Sequence, residues 1–454
     1  MIKPRYIVGP CLAVLLSSCH GSFGSAPGAS VLPQTASSRH SGTLGNFQHV
    51  VIMVQENHSF DNLFAKFPGA DGATHGKLYG GQSIKLIESH LFSSKNLDNS
   101  HQAFVVDYDS GKMDGFSQVF VNSVRCSKCA YEYVNPNQIQ PYWTMAKQYA
   151  LADHMFPSET SGSFSAHQDL IRGDSQLNST ESMIDFPTHG PWGCDAAPGT
   201  TVPVINSMNQ YIQYGPFPCT NQFPPSDTYE TLRDLLDAKS VSWKYYTPQL
   251  LTGGLAGAYW DAFDVISAVR NGPEWKTNIS SPEKNIFKDI KKGKLAAVSW
   301  VIPDGNNSDH SGIANSDTGP SWVASVVNAI GESKYWNTTA IIIVWDDWGG
   351  WYDHVAPPQL NYAGLGFRVP AIIVSPYTKP GYVSHTQYQF GSIVKFVEDN
   401  WDLGRLGTTD GSSNSIDDVF DFNQSPRAFV KIQSKYSQTF FEHQPSSNIP
   451  PDTN

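Results

Sequence analysis

Charged residues are scarce in this chain of 454, with Asp, Glu, Lys and Arg making up 16% of it. What charge there is sums to −11, and no basic patch interrupts the acidic balance. That argues against nucleic acid as a partner and removes any electrostatic pull toward anionic membranes. Long apolar runs are also lacking. Residues 7–16 form the first such run, broken by Pro10, whereas a permanent membrane span needs about 20 apolar residues. Cysteine is sparse, six in all. What the chain does have is 37 Gly, 30 Pro and 12% aromatic residues. Such a composition describes a loop-rich globular chain with a large core, neither disordered nor fibrous.

The N-terminus reads as a leader. Lys3 and Arg5 give a charged start, and residues 7–16 a short apolar stretch. Leu16-Ser17-Ser18-Cys19 then resembles a bacterial lipoprotein box, with Cys19 as the acylated residue. An ordinary signal peptide cut a few residues later is the alternative. Either one exports the chain, as a periplasmic or outer-membrane lipoprotein or as a secreted protein. The organisation expected is a leader at 1–18, a flexible Ser/Gly/Ala-rich linker at 19–45, one large domain at 46–435 and a loose polar tail at 436–454. Cys126, Cys129, Cys194 and Cys219 survive processing, and in an oxidising compartment four cysteines suggest two disulfides. The spacing favours Cys126–Cys129 and Cys194–Cys219, although three pairings are possible. Cys126-Ser-Lys-Cys129 also fits a redox or zinc motif, but no second CxxC or CxxH accompanies it.

Three apolar runs end in polar clusters. Residues 50–54, mostly β-branched, stop at Gln55-Glu56-Asn57. Residues 296–302 lead to Asp304, Asp309 and His310, and residues 339–345 stop at Asp346-Asp347. Such runs read as strands buried on both faces, and open α/β sheets bind ligands at the carboxyl ends of their strands. Two adjacent carboxylates repel unless a cation or a shared proton relieves them. Glu56 and Asn57 offer hard oxygens suited to Ca²⁺ or Mg²⁺. Ser59 and Asp61 read as N-caps of a short helix, and Asp304 and Asp309 as turn caps. A helix is expected over 140–152, then a turn rich in hydroxyls, Ser161-Gly162-Ser163-Phe164-Ser165. The helical pattern beginning at Ala166 puts a helix start there, which favours a phosphate oxygen. Residues 173–225 read as an irregular insertion over the pocket, and further helices are expected over 228–239, 263–271, 286–292, 322–330 and 392–401.

Several motifs recur in the order of a known family. Glu56-Asn57-x-Ser59-Phe60-Asp61 is followed by His101 ahead of Lys112-Met113-Asp114-Gly115-Phe116. Asp346-Asp347-Trp348-Gly349-Gly350-Trp351-Tyr352-Asp353-His354-Val355 comes next, then a closing block from His385 to Trp401. The chain thus resembles the bacterial phosphoesterase family, which holds phosphatidylcholine-preferring phospholipases C and secreted acid phosphatases within the alkaline phosphatase superfamily. The resemblance implies an α/β fold of three layers, α/β/α, with a mostly parallel sheet. It implies one divalent metal ion, Ca²⁺ or Mg²⁺ before Zn²⁺, held by Glu56, Asn57, Ser163, Asp346 and Asp347. Ser163 would be the nucleophile of a phosphoseryl mechanism, with Ser161 and Ser165 as competing hydroxyls. His310 and His101 would bind phosphoryl oxygens or protonate the leaving group, and the Asn57 amide would donate to a developing oxyanion. Asp353 and His354 would position their loop. Expected partners are a phosphate ester, phospholipids included, and the membrane through the lipid on Cys19.

Two departures stand out. Ser161-Gly162 replaces the Gly-Pro of many relatives, and Gln389-Phe390-Gly391 stands where they often have Asp-His-Thr. No C-terminal β-domain is expected after the polar tail, which leans toward the acid phosphatases, while the tether allows lipid substrates. A cation-binding surface lipoprotein without catalysis is the alternative, and Ser163 beside two polar strand ends speaks against it.

Overall fold

The computed structural model describes residues 45–121, 123–190, 192–212, 229–249, 260–313 and 318–447. The leader, Cys19, the linker up to residue 44, and Cys219 lie outside them, and with Cys219 the expected Cys194–Cys219 pairing. Cys126 and Cys129 are joined, with their Cα atoms 5.5 Å apart.

Among the described residues nine strands form the central sheet: β1 His49–Gln55, β2 Ala150–Phe156, β3 Trp243–Tyr246, β4 Ile279–Ser280, β5 Val298–Val301, β6 Thr339–Trp345, β7 Val369–Val374, β8 Tyr382–Ser384 and β9 Tyr388–Gln389. Their order is β4-β3-β5-β1-β6-β7-β2-β8, with β9 also pairing β2. Every pairing is parallel except those of β7, which runs antiparallel to both β6 and β2. β1 sits at the centre, and Val50 through Gln55 are buried. An uninterrupted apolar run needs such a place, since either face of the strand would otherwise meet water.

Nine helices matter here: α1 Phe60–Phe64, α2 His101–Tyr108, α3 Gln140–Gln148, α4 Ser163–Arg172, α5 Leu232–Ala238, α6 Asn285–Lys291, α7 Gly319–Gly331, α8 Phe390–Trp401 and α9 Gln438–His443. Strand register shows which face each covers. Ile52 is level with Trp300 of β5 and Ile342 of β6, and the Trp300 indole donates to Leu170 O of α4 at 3.1 Å. Gln55, level with Trp345, points the other way because successive side chains alternate. Its Nε2 donates to the Tyr142 hydroxyl of α3 at 3.0 Å, and Trp345 meets Tyr142 edge-on at 4.9 Å. α3 and α4 therefore lie on opposite faces. α7 packs with α3, α6 and α9, and α8 packs with α4. This is the three-layer α/β/α arrangement with a mostly parallel sheet that the motifs implied.

Some local expectations fail. The helix expected over 140–152 ends at Gln148, and Ala150-Leu-Ala-Asp-His-Met-Phe156 is a buried sheet strand. Its alanines carry no β-branched signature, so tertiary burial decides. The insertion is less irregular than expected: Gln176–Asn178, Glu181–Met183, Val204–Asn206 and Tyr211–Ile212 form a small antiparallel sheet. The tail expected to be loose is fixed as far as Ser447. Phe441 of α9 is buried against Trp322, ring centroids 5.6 Å apart, and Ser447 N–H donates to Asp304 Oδ2 at 2.9 Å. A few apolar residues in a polar segment suffice to dock it.

Candidate active site

Gln55 ends β1 level with Trp345 at the end of β6. The next residues, Glu56-Asn57 and Asp346-Asp347, therefore emerge side by side. Asn57 turns the chain at φ 54, a left-handed conformation that Asn tolerates better than most residues. The turn aims its N–H at Asp346 Oδ1, 2.9 Å away, and its Nδ2 at Asp347 Oδ2, 3.3 Å away. Gly349, at φ 60, donates its N–H to Asp347 Oδ1 at 2.6 Å. A Cβ at Gly349 would lie 2.2 Å from Asn57 O, so this close backbone approach requires glycine.

α4 brings the hydroxyl. Ser163 Oγ lies 3.3 Å from Glu56 Oε2, 3.4 Å from Asn57 Oδ1 and 3.4 Å from Asp347 Oδ2. One hydroxyl proton serves one acceptor, and all three distances exceed the roughly 2.5–3.0 Å of an O–H···O bond. Glu56, Asn57, Ser163, Asp346 and Asp347 are thus gathered in one place. The competing hydroxyls belong to another network. Ser161 Oγ donates to Glu159 Oε2 at 2.6 Å, accepts from Asp185 N–H at 2.9 Å and lies 2.7 Å from Ser165 Oγ. The insertion closes over this turn: a Cβ on Gly162 would strike the Phe186 ring at 2.2 Å.

Two neighbours escaped the sequence reading. His167, one helical turn after Ser163, places Nε2 3.0 Å from Glu56 Oε1 and 3.8 Å from Asp346 Oδ2. Glu56, His167 and Asp346, all buried, offer ligand atoms within 4.8 Å of one another. Asn99 Nδ2 donates to both oxygens of Asp347, at 3.1 and 3.0 Å. His167 had a signal available, since positions i and i+4 share a helix face. Asn99 had none.

The electrostatics point the same way. Burial, and then the nearby Glu56, push the Asp346 carboxyl well above its ordinary range. Among the described residues Asp346 meets only His167 as an ion-pair partner. Burial holds that imidazole down to about 4, so it stays neutral near pH 7 and brings no charge. Clustered buried carboxylates of this kind call for a positive ion. The mixed oxygen and imidazole donors fit a divalent one.

The two expected histidines are each held by neighbours of this cluster. His101 opens α2, its Nδ1 2.8 Å from Thr160 Oγ1, and burial lowers its pKa. His310, buried, donates from Nδ1 to Ser311 O at 2.7 Å. Its ring stacks on Trp260 at 6.2 Å, and Trp260 stacks in turn on His167 at 6.3 Å. Asp353 accepts a two-pronged bond from Arg368, 2.9 and 3.1 Å, and His354 Nδ1 lies 2.7 Å from Asp61 Oδ2. Those contacts pin the loop that carries Asp346 and Asp347.

Fold and site together define an α/β protein with a carboxylate-rich centre at the carboxyl ends of two central parallel strands. The Phosphoesterase family model matches residues 47–404, and the chain belongs to that family. It is 22% identical to a non-hemolytic phospholipase C of Pseudomonas aeruginosa, over 83% of this chain and 58% of that protein. It is 20% identical to phospholipase C A of Mycobacterium tuberculosis, over 85% of this chain and 79% of that protein. With non-specific phospholipase C5 of Arabidopsis thaliana the identity is 25%, over 77% and 69% of the two chains. Thus the chain spans little more than half of the P. aeruginosa relative. Among solved structures, a protein in the alkaline phosphatase superfamily from Vibrio parahaemolyticus superposes with a TM-score of 0.36 and 11% identity, covering 83% of this chain and 72% of that one.

Proposed function

We propose that this protein hydrolyses phosphate esters through a covalent intermediate on Ser163. The observation that carries the reading is the Ser163 hydroxyl, set 3.3–3.4 Å from oxygens of Glu56, Asn57 and Asp347 at the start of α4. Ser163 Oγ attacks phosphorus, the bond to the leaving alcohol oxygen breaks, and the phosphoryl group rests on serine until water displaces it. α4 begins at Ser163, so its first-turn N–H groups and helix dipole favour the phosphoryl oxygens.

A divalent ion, Ca²⁺ or Mg²⁺ before Zn²⁺, would be held by Glu56, Asn57, Ser163, Asp346 and Asp347, with His167 beside them. When bound it supplies positive charge that favours the ionised serine oxygen and the transferring phosphoryl group. The chain's own residues do the rest. Asn99 and Gly349 hold the Asp347 carboxylate by their N–H bonds, and Asn57 N–H holds Asp346. His310 and His101 take the roles of binding phosphoryl oxygens or protonating the leaving alcohol. The relatives, named phospholipases C, favour a phosphodiester of a lipid as substrate, and a lipid on Cys19 would keep the enzyme at a membrane after export.

Purified protein offered p-nitrophenyl phosphorylcholine and p-nitrophenyl phosphate in parallel tests the reading. Turnover of the first supports a phospholipase C and of the second alone an acid phosphatase. No turnover of either with Ca²⁺, Mg²⁺ or Zn²⁺ present would favour the non-catalytic alternative.

A further inference from the structure

β2 stands three strands from β1 in the sheet, roughly 14 Å at about 4.8 Å per strand. It carries a second group of ligand-type side chains that the chemistry above does not use. Asp153 is wholly buried, and each of its oxygens meets an imidazole. Oδ1 lies 2.7 Å from His154 Nδ1, and Oδ2 lies 2.7 Å from His385 Nδ1. The ligand atoms of the three residues fall within 4.8 Å of one another. The His385 side chain is 59% exposed, which gives an ion a way in.

We propose that Asp153, His154 and His385 form a second cation site, selective for a zinc-class transition ion. Donor chemistry comes first: two imidazoles and one carboxylate are a ligand set that zinc uses, and one that Ca²⁺ and Mg²⁺ avoid. The far side of His154 adds an independent indication. Its Nε2 lies 3.3 Å from Asp71 Oδ2. A histidine that binds metal through one nitrogen commonly gives its other N–H to a carboxylate, which fixes the ring and its tautomer. Asp71 N–H also donates to Asp153 Oδ2 at 2.8 Å, tying that outer carboxylate to the inner one.

The local charge leaves room for the ion. Asp353 and Asp61 have Arg368 and His354 as partners. Arg368 Nη1 donates to the carbonyl oxygens of Asp71 at 2.8 Å and Asp153 at 2.9 Å. It also lies 3.8 Å from Asp71 Oδ2, and His354 Nε2 lies 3.2 Å from Asp71 Oδ1, so both cations face the outer carboxylate and neither is an ion-pair partner of Asp153. Asp153 is left with two imidazoles, and an ion taking the place of their Nδ1 protons would join the 71 loop and the 385 loop to β2. The site is independent of the reading of Ser163 and of the cluster around Glu56.

Zinc chloride titrated into the full chain by calorimetry, in millimolar Mg²⁺ and Ca²⁺, tests this. The wild type and Glu56→Gln should both bind a zinc ion that His385→Ala and His154→Gln weaken tenfold or more. Cobalt bound in its place should give visible absorption bands in the wild type that His385→Ala loses. Because His385→Ala removes a hydrogen bond to buried Asp153, the melting temperature of each protein is compared with its own zinc-free value. Zinc should raise the melting temperature of the wild type and leave that of His385→Ala unmoved. Equal zinc affinity in the wild type and His385→Ala would overturn the proposal. So would zinc uptake abolished by Glu56→Gln alone.

Discussion

Replacing Gly349 by alanine tests how the two strand ends are held together. The added Cβ would lie 2.2 Å from Asn57 O, 2.7 Å from its carbonyl carbon and 2.8 Å from its Cβ. Ordinary contact demands roughly 1 Å more, and the obstacle is buried backbone in a close-packed region. Alanine at φ 60 adds a left-handed penalty of roughly 1–2 kcal/mol. Displacing Asn57 also loosens its N–H bond to the Asp346 carboxylate, 2.9 Å, a charge-assisted bond of about 1.5–3 kcal/mol. Together these predict a loss of about 3–5 kcal/mol in urea unfolding. A misplacement on the order of 1 Å in a catalytic group costs about a hundredfold in rate. Turnover of a nitrophenyl substrate should therefore fall at least that far, even where the variant is fully folded. Stability within about 1 kcal/mol of wild type, with near-normal turnover, would refute the packing argument.

Asp346→Asn and Glu56→Gln should each lower bound metal and activity together, because each removes a formal charge from the cluster. Elemental analysis checks this, and full metal content in an inactive variant would give the carboxylates another role. Burial pulls the His354 pKa down, but the hydrogen bond and charge of Asp61, with Asp353, outweigh it and raise it to about 9. Its contribution, on the order of 1–3 kcal/mol, is therefore complete below pH 6.5 and lost as pH rises through 9. Urea midpoints should fall across that window in the wild type and less in His354→Gln; equal slopes would contradict the assignment. Phe441→Ala should cost about 3–5 kcal/mol as a buried aromatic truncation; no change in melting would mean that α9 does not dock in solution.

Much of this architecture can be read from the sequence where side chains announce it. β1 and β6 are β-branched runs whose polar ends stand at adjacent numbers, so the meeting of Glu56 and Asn57 with Asp346 and Asp347 follows once the two strands pair. β2 has no such signature, because Ala150 and Ala152 fill its sheet positions and the preceding helical pattern runs on through them. Asn99 lies 248 residues from Asp347 in sequence, and only the fold brings the two together. The polar tail from residue 436 hides Phe441, the buried ring of α9 that meets Trp322.

In the proposed mechanism Ser163 carries the phosphoryl group. The most direct measurement is mass spectrometry of the enzyme quenched in acid during turnover of a slow phosphate ester. The phosphoryl adduct is expected on the peptide bearing Ser163, and its loss, with several orders of magnitude of turnover, in Ser163→Ala, which keeps its fold and, through the remaining carboxylates, most of its metal. An adduct on Ser161 or Ser165, or a Ser163→Ala variant that turns over normally, would contradict it.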